Sequence, residues 1–261
     1  PKEFCGADIE FSHVNFTYPE SETPAVNDLS FTLPAGKTYA LVGASGSGKT
    51  TVANLIPRFY DVDSGSIKIG GIDVKELSEK ALAENIAFVL QTTKLFKTSI
   101  LENVRAARPT ASEKEVLEAL DAAQCNDIIE KFSTGIHTVI GTEGVYLSGG
   151  EIQRIALARA ILKDASIIIL DEATSFADAE NEYRIQKAFE NLIKGKTVLM
   201  IAHRLTTVRN ADKILVMDYG KVIESGSHTE LLDTNGVYTK MWNEYQKSVC
   251  WNLGKEADVY A

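Results

Sequence analysis

The sequence predicts an α/β fold with a mostly parallel core sheet, an N-terminal antiparallel β-subdomain and an inserted helical subdomain. Three textures along the chain carry that expectation. Near the N-terminus, Ile9 and Phe11, then Val14, Phe16 and Tyr18, alternate with polar positions, with a phase slip at Ser12-His13 that fits a bulge. Leu29, Phe31 and Leu33 repeat the alternation, and Ile67 and Ile69, Gly70-Gly71, then Ile72 and Val74 read as a hairpin. Next come short continuous apolar runs of the kind that parallel strands show when both faces are covered: Tyr39 to Val42, Ile86 to Leu90, Ile167 to Leu170, Val198 to Ala202 and Ile214 to Met217. Between the second and third runs the chain reads as mostly helical, with Ser112-Glu113-Lys114-Glu115 forming a capping box ahead of Val116, Leu117 and Leu120.

These textures divide the chain into four parts. Residues 1–91 hold the β-subdomain and the first part of the core, and residues 92–163 the helical subdomain. Residues 164–247 hold the second part of the core, and residues 248–261 a tail without a clear period. Ile185, Ala188, Phe189 and Leu192 follow helical spacing, and Gly195 ends that helix.

Composition narrows the function classes. At 261 residues and 44% hydrophobic content the chain can bury a substantial core, and its net charge of -9 offers no broad cationic surface to nucleic acid. Cys5, Cys125 and Cys250 show neither a disulfide framework nor zinc-ligand spacing, which fits a reducing, cytosolic setting. No apolar run approaches the roughly 20 residues of a membrane helix. The chain begins at Pro1 without Met and without a secretory leader, as expected of a piece of a longer polypeptide.

Gly43-Ala44-Ser45-Gly46-Ser47-Gly48-Lys49-Thr50 matches the phosphate-binding pattern GxxxxGK followed by Ser or Thr, and it sits between an apolar strand and a helical stretch. Glycines let backbone N–H groups wrap phosphate oxygens and the helix N-terminus adds positive potential. Lys49 reaches the terminal phosphates, and Thr50 offers an oxygen to Mg²⁺. The apolar run Ile167 to Leu170 then delivers Asp171 and Glu172 at its C-terminal end. Acids at a strand end are often merely solvated, but beside a phosphate loop Asp171 can hold Mg²⁺ through its water shell and Glu172 can orient or deprotonate an attacking water.

Leu147-Ser148-Gly149-Gly150-Glu151 starts a further helix, with Ser148 at N-cap and Glu151 at N3. Two glycines just after a cap cost roughly 1 kcal/mol each relative to alanine. An exposed backbone that meets a phosphate is a reason to keep them.

Together these motifs resemble the nucleotide-binding domain of ABC transporters of the exporter type, over nearly the whole chain. The resemblance implies a P-loop NTPase (RecA-like) core, ATP and Mg²⁺ as cofactors, and ATP hydrolysis that powers transmembrane transport. By position it implies ATP contacts from Tyr18, Gly43, Ser45, Gly46, Ser47, Gly48, Lys49, Thr50, Thr51 and Gln91, with Tyr18 stacking on adenine. Gln91, Lys49, Glu172 and His203 would be catalytic, and Thr50, Gln91 and Asp171 would face Mg²⁺. Ser148, Gly149, Gly150, Glu151 and Asp178 would touch the nucleotide of a second such domain, identical or different, across an ATP-sandwiched dimer. A transmembrane domain fused upstream of Pro1 would place the chain on the cytoplasmic face of the cell membrane.

Exporter character rests on Asp171-Glu172-Ala173-Thr174-Ser175, where importer subunits usually read DEP, and on Ala202-His203-Arg204-Leu205 and Gly226-Ser227-His228-Thr229-Glu230. Three positions depart from the usual pattern: Thr142 replaces Glu in the loop that senses the membrane domain, Glu151 replaces Gln, and Ser175-Phe176-Ala177-Asp178 replaces Ser-Ala-Leu-Asp. Glu151 is expected to weaken ATP-driven closure by like-charge repulsion from the partner's nucleotide. The rival readings are a non-transport ABC ATPase that clamps nucleic acid, disfavoured by acidity and by the lack of room for a long coiled coil, a separately encoded importer ATPase subunit, and a nucleotide-binding regulator without turnover.

Overall fold

The computed structural model describes residues 4–90, 93–141, 145–171, 179–203 and 205–259. The chain opens with strands β1 (Ile9–Phe16), β2 (Val26–Leu33) and β3 (Thr38–Val42), helix α1 (Lys49–Leu55), and strands β4 (Ser64–Ile69) and β5 (Ile72–Asp73). Helix α2 (Glu79–Asn85) leads into β6 (Ile86–Val89), followed by the helices α3 (Ile100–Arg105), α4 (Glu113–Ala122), α5 (Asn126–Glu130) and α6 (Gly149–Lys163). The last part alternates β7 (Ile167–Asp171), α7 (Ala179–Ile193), β8 (Thr197–Ile201), α8 (Leu205–Val208), β9 (Lys213–Asp218) and β10 (Lys221–Gly226), then ends in α9 (His228–Asp233) and α10 (Val237–Val259). None of the described helices is long and apolar enough to cross a membrane.

Two sheets form, as the two strand textures predict. One is antiparallel, in the order β2-β1-β4-β5; the other runs β10-β9-β3-β8-β7-β6, parallel except at the β10 edge. The phase slip at Ser12-His13 is a register shift in both ladders of β1, where His13 takes φ 48°. The parallel strands of the core sheet carry almost no exposed side chains: Ile167, Ile168, Ile169, Val198 and Leu199 are fully buried, because each packs on one of two apolar layers. Val52, Leu55 and the inner face of the antiparallel sheet cover one side, and α3, α4, α6 and α7 cover the other through Val104, Leu120, Leu157 and Ala188.

The helical segment is framed by two capping boxes, Ser112 with Glu115 on α4 and Ser148 with Glu151 on α6. Cys125, buried at its centre, has its thiol pushed up to about 12 by desolvation, so it behaves as a small apolar side chain. From Ser248 onward, where the sequence shows no period, the backbone continues helical as far as Val259.

α10 is anchored at its start. Both oxygens of Glu224 on β10 accept backbone N–H groups of α10, from Val237 at 2.6 Å and from Tyr238 at 3.0 Å. The buried Tyr238 hydroxyl lies 2.8 Å from His228 Nδ1, and the His228 ring stands edge-on to Trp242. Burial, with Arg209's charge adding, holds the His228 imidazole below its ordinary value near 6.5. The folded state therefore prefers neutral His228, and its contribution is present above that value and lost as pH falls through it toward the folded-state pKa. Lowering pH from about 7 to about 5 should depress the thermal midpoint more in wild type than in His228→Gln. Equal depression in both would remove His228 from the acid response.

Candidate active site

The core sheet brings its chemistry to one edge because its parallel ladders are in register at their C-terminal ends. Leu41 of β3 pairs with Ile201 of β8, and Ile201 pairs with Asp171 of β7. β7 ends on that line in Asp171, and two residues past it β3 releases the loop from Gly43 to Gly48 and β8 delivers His203. Open α/β sheets bind ligands at this carboxyl edge.

The loop can form only with glycine at two positions. Gly43 has φ 151° and Gly48 has φ 102°, and a Cβ on either would collide with backbone oxygens, those of Met217 and Ala25 respectively. The loop is braced from behind by the turn between β9 and β10, where the Gly220 N–H donates to Ser47 O at 3.0 Å. α1 then begins at Lys49 with no side-chain cap, leaving its first N–H groups to an anion or to water.

Lys49 is buried, and its ammonium is satisfied by the loop itself: it donates to Gly43 O at 2.8 Å, Ala44 O at 2.9 Å and Ser47 Oγ at 3.3 Å. Desolvation lowers its pKa and the nearby Asp171 carboxylate works against that lowering. A phosphate that enters the loop exchanges these carbonyl acceptors for charged oxygens, a stronger class of hydrogen bond.

Around the loop lies a cavity of about 710 Å³ lined by Tyr18, Gly43, Ser45, Gly46, Gly48, Lys49, Thr50, Thr51 and His203. Tyr18 stands just beyond β1, hydroxyl 3.0 Å from Thr51 Oγ1, held edge-on by Phe16 and Tyr60. Thr50 is exposed beside Lys49. His203 Nε2 lies 3.2 Å from Asp171 Oδ1, so the ring of one strand end and the carboxylate of another already touch. Ser47 is the one loop residue turned inward, its N–H bonded to Ala44 O at 3.2 Å. Among the described residues no group of three or more His, Cys, Asp or Glu could hold a metal ion. The donor set of Thr50 and Asp171 fits Mg²⁺ bound mainly through phosphate and water.

Gln91, Thr142, Glu172 and the stretch from Ser175 to Asp178 lie outside the described residues. Ser148, Gly149, Gly150 and Glu151 are described and are absent from the cavity lining. Ser148 Oγ accepts from the Glu151 N–H at 3.2 Å, and the Ser148 N–H donates to Glu151 Oε2 at 2.9 Å. The other oxygen of Glu151 is ion-paired with Lys131, and the side chain is only 7% exposed. The carboxylate expected to repel a partner's nucleotide is thus turned back into its own helix cap and ion-paired there.

Sequence reasoning missed one wall of the cavity. Met241, Glu244, Tyr245 and Ser248 of α10 line it, and their three- and four-residue spacing was visible, but nothing local connects that helix to a loop formed some two hundred residues earlier.

Fold and site together define a P-loop nucleotide-binding ATPase domain. A family model described as ABC transporter matches residues 26–175, more than half of the chain. An ATP-dependent lipid A-core flippase of Sodalis glossinidius is 49% identical over 235 residues, covering 90% of this chain and 40% of the relative. ABC transporter B family member 4 of Dictyostelium discoideum is 48% identical over 90% of this chain and 31% of its own length. Among solved structures, a bacterial Atm1-family ABC exporter with ATP bound aligns with TM-score 0.84 and 38% identity over 92% of this chain and 42% of that one. The chain belongs to the ABC transporter family, as its ATP-binding ATPase domain. It spans about two fifths of the length of the flippase it matches.

The two phosphate-loop glycines differ from Gly46, which has φ 79° but nothing within 4 Å of a built Cβ. Gly46→Ala should cost about 1–2 kcal/mol, the left-handed penalty alone. Gly48→Ala should cost about 3 kcal/mol or more, because steric collision is added. Equilibrium denaturation measures both, and equal costs would contradict the clash with Ala25.

Proposed function

We propose that this domain powers transmembrane transport as the motor of an exporter-type ABC transporter, working in a pair that encloses two ATP molecules. The observation that carries the reading is a separation. The phosphate cavity is lined by Tyr18 and by Gly43, Ser45, Gly46 and Gly48 to Thr51, whereas the glycine-rich start of α6 stays out of it. A second chain, identical or different, supplies Ser148, Gly149 and Gly150, and with them Asp178, to this cavity and receives the same in return. ATP is then part of the interface, and closure draws residues 92–163 inward about Gln91.

Within each site Lys49 and the loop N–H groups bind and orient the triphosphate, and Tyr18 lies beneath the base. Thr50, Asp171 and Gln91 would hold Mg²⁺, which when bound neutralises phosphate charge. Glu172 positions and deprotonates the attacking water, and His203, resting on Asp171, contacts the terminal phosphate.

A second cavity, of about 860 Å³, supports a transmembrane partner. It lies between β6 and the helical segment, with exposed Leu90 at its mouth and Lys80, Lys94, Arg108, Arg159 and Lys163 around it. Arg159 shapes it by donating to Asn103 O at 2.7 Å and Lys94 O at 3.2 Å while covering the Phe96 ring. A short amphipathic helix of a membrane domain with acidic residues fits that mixture. Fusion of that domain upstream of Pro1 agrees with the longer relatives, and sets the motor on the cytoplasmic face of the membrane.

In the full-length protein, Glu172→Gln should reduce ATP turnover by about a hundredfold or more while leaving ATP affinity within about twofold. Turnover at the wild-type rate would overturn the assignment of the base. In the same background, Ser45→Cys with Ser148→Cys should cross-link between chains when Mg-ATP is present. Cross-linking only within one chain would overturn the sandwich.

A further inference from the structure

The start of α6 concentrates charge in a small volume. Glu151 and Arg154 lie one turn apart on α6, and Lys131 and Asp127 come from α5 and its C-terminal end. Arg154 is 1% exposed and committed elsewhere: its guanidinium donates to Asp127 at 2.6 and 3.0 Å, to Asn181 Oδ1 at 3.2 Å, and to Gln124 O. Asp127 is shared with Arg184 at 2.9 Å. Among the described residues, the cation that meets Glu151 is Lys131, 51% exposed against 7% for the carboxylate. The arrangement is therefore lopsided. The acid is fixed by the cap and desolvated, whereas its cation reaches it from the surface on a flexible stem.

We propose that Lys131 is a positioning residue for nucleotide engagement, and that it cancels Glu151 so that the start of α6 meets a triphosphate with backbone dipoles and no net negative charge. Glu151 Oε2 is engaged by the Ser148 N–H, which leaves Oε1 as the oxygen that needs a counter-ion. Without Lys131 the capping box still forms, since its two hydrogen bonds are internal to residues 148–151. What changes is electrostatic: a buried carboxylate, unscreened on the protein side, then faces the nucleotide next to Ser148 and Gly149. Glu at this position is thereby made compatible with anion binding through a residue twenty positions away in sequence. The inference rests on the reading that this helix start engages a nucleotide.

The test is a double-mutant cycle in the full-length protein, with steady-state ATPase kinetics at low and high salt and a thermal midpoint for each variant. Lys131→Gln should raise the KM for Mg-ATP about tenfold at low salt, a unit-charge effect at short range that ionic screening reduces. In the Glu151→Gln background, the same Lys131→Gln change should move KM less than about twofold, because no carboxylate is left to cancel. An equal KM increase in both backgrounds, or none in either, overturns the role of Lys131. A control isolates the parent reading: Gly149→Glu places an acid at the exposed first position of α6, where the helix dipole tolerates it. If Gly149→Glu also leaves KM and kcat unchanged, the engagement of nucleotide by this helix is what fails. If Gly149→Glu impairs activity while Lys131→Gln does not, only the compensation by Lys131 fails.

Discussion

The turn from β3 into α1 governs the rest of the structure, because it brings backbone closer to backbone than any side chain permits. At Gly43 the loop passes the Met217 carbonyl and at Gly48 the Ala25 carbonyl, so β9 and the segment before β2 both set its shape. Such close approach curls the loop so that Lys49 folds over its carbonyls. The antiparallel sheet is therefore part of the site's construction. It holds Ala25 behind the loop and Tyr18 in front of it.

The register of the core sheet supplies the second condition. A parallel ladder that aligns Leu41, Ile201 and Asp171 puts three unrelated loops at one level, and the contact between His203 and Asp171 follows from that alignment. The apolar layers on both faces prevent slippage, since a shift of one residue would exchange fully buried Ile168 and Ile169 between different partners.

Much of this was legible in the sequence for physical reasons. The strands of the core sheet are continuous apolar runs, and the observed bounds of β3, β7 and β9 differ from those runs by a residue or so. Both capping boxes and the slip at Ser12-His13 were visible because they are local: a side chain meets a backbone group three residues away, or a strand changes phase within two residues. The loop declared itself through the spacing of its glycines. What was hidden depends on distance along the chain. Lys131 neutralising Glu151, Glu224 capping α10, and α10 walling the cavity each join segments whose proximity no periodicity encodes. The expected repulsion between Glu151 and a nucleotide took no account of Lys131 for that reason, since this counter-ion comes from the end of a different helix.

Arg154 joins the end of the α4–α5 turn, the helix α5 and the first turn of α7 to α6 through one buried guanidinium. Its Nε has no protein acceptor among the described residues, so the group is already short of partners and has none to exchange. Removing its partners would leave a buried guanidinium uncompensated, which is strongly destabilising. The helical arm and the beginning of α7 are therefore geared together through α6, so that neither can be displaced without the guanidinium losing partners it cannot replace.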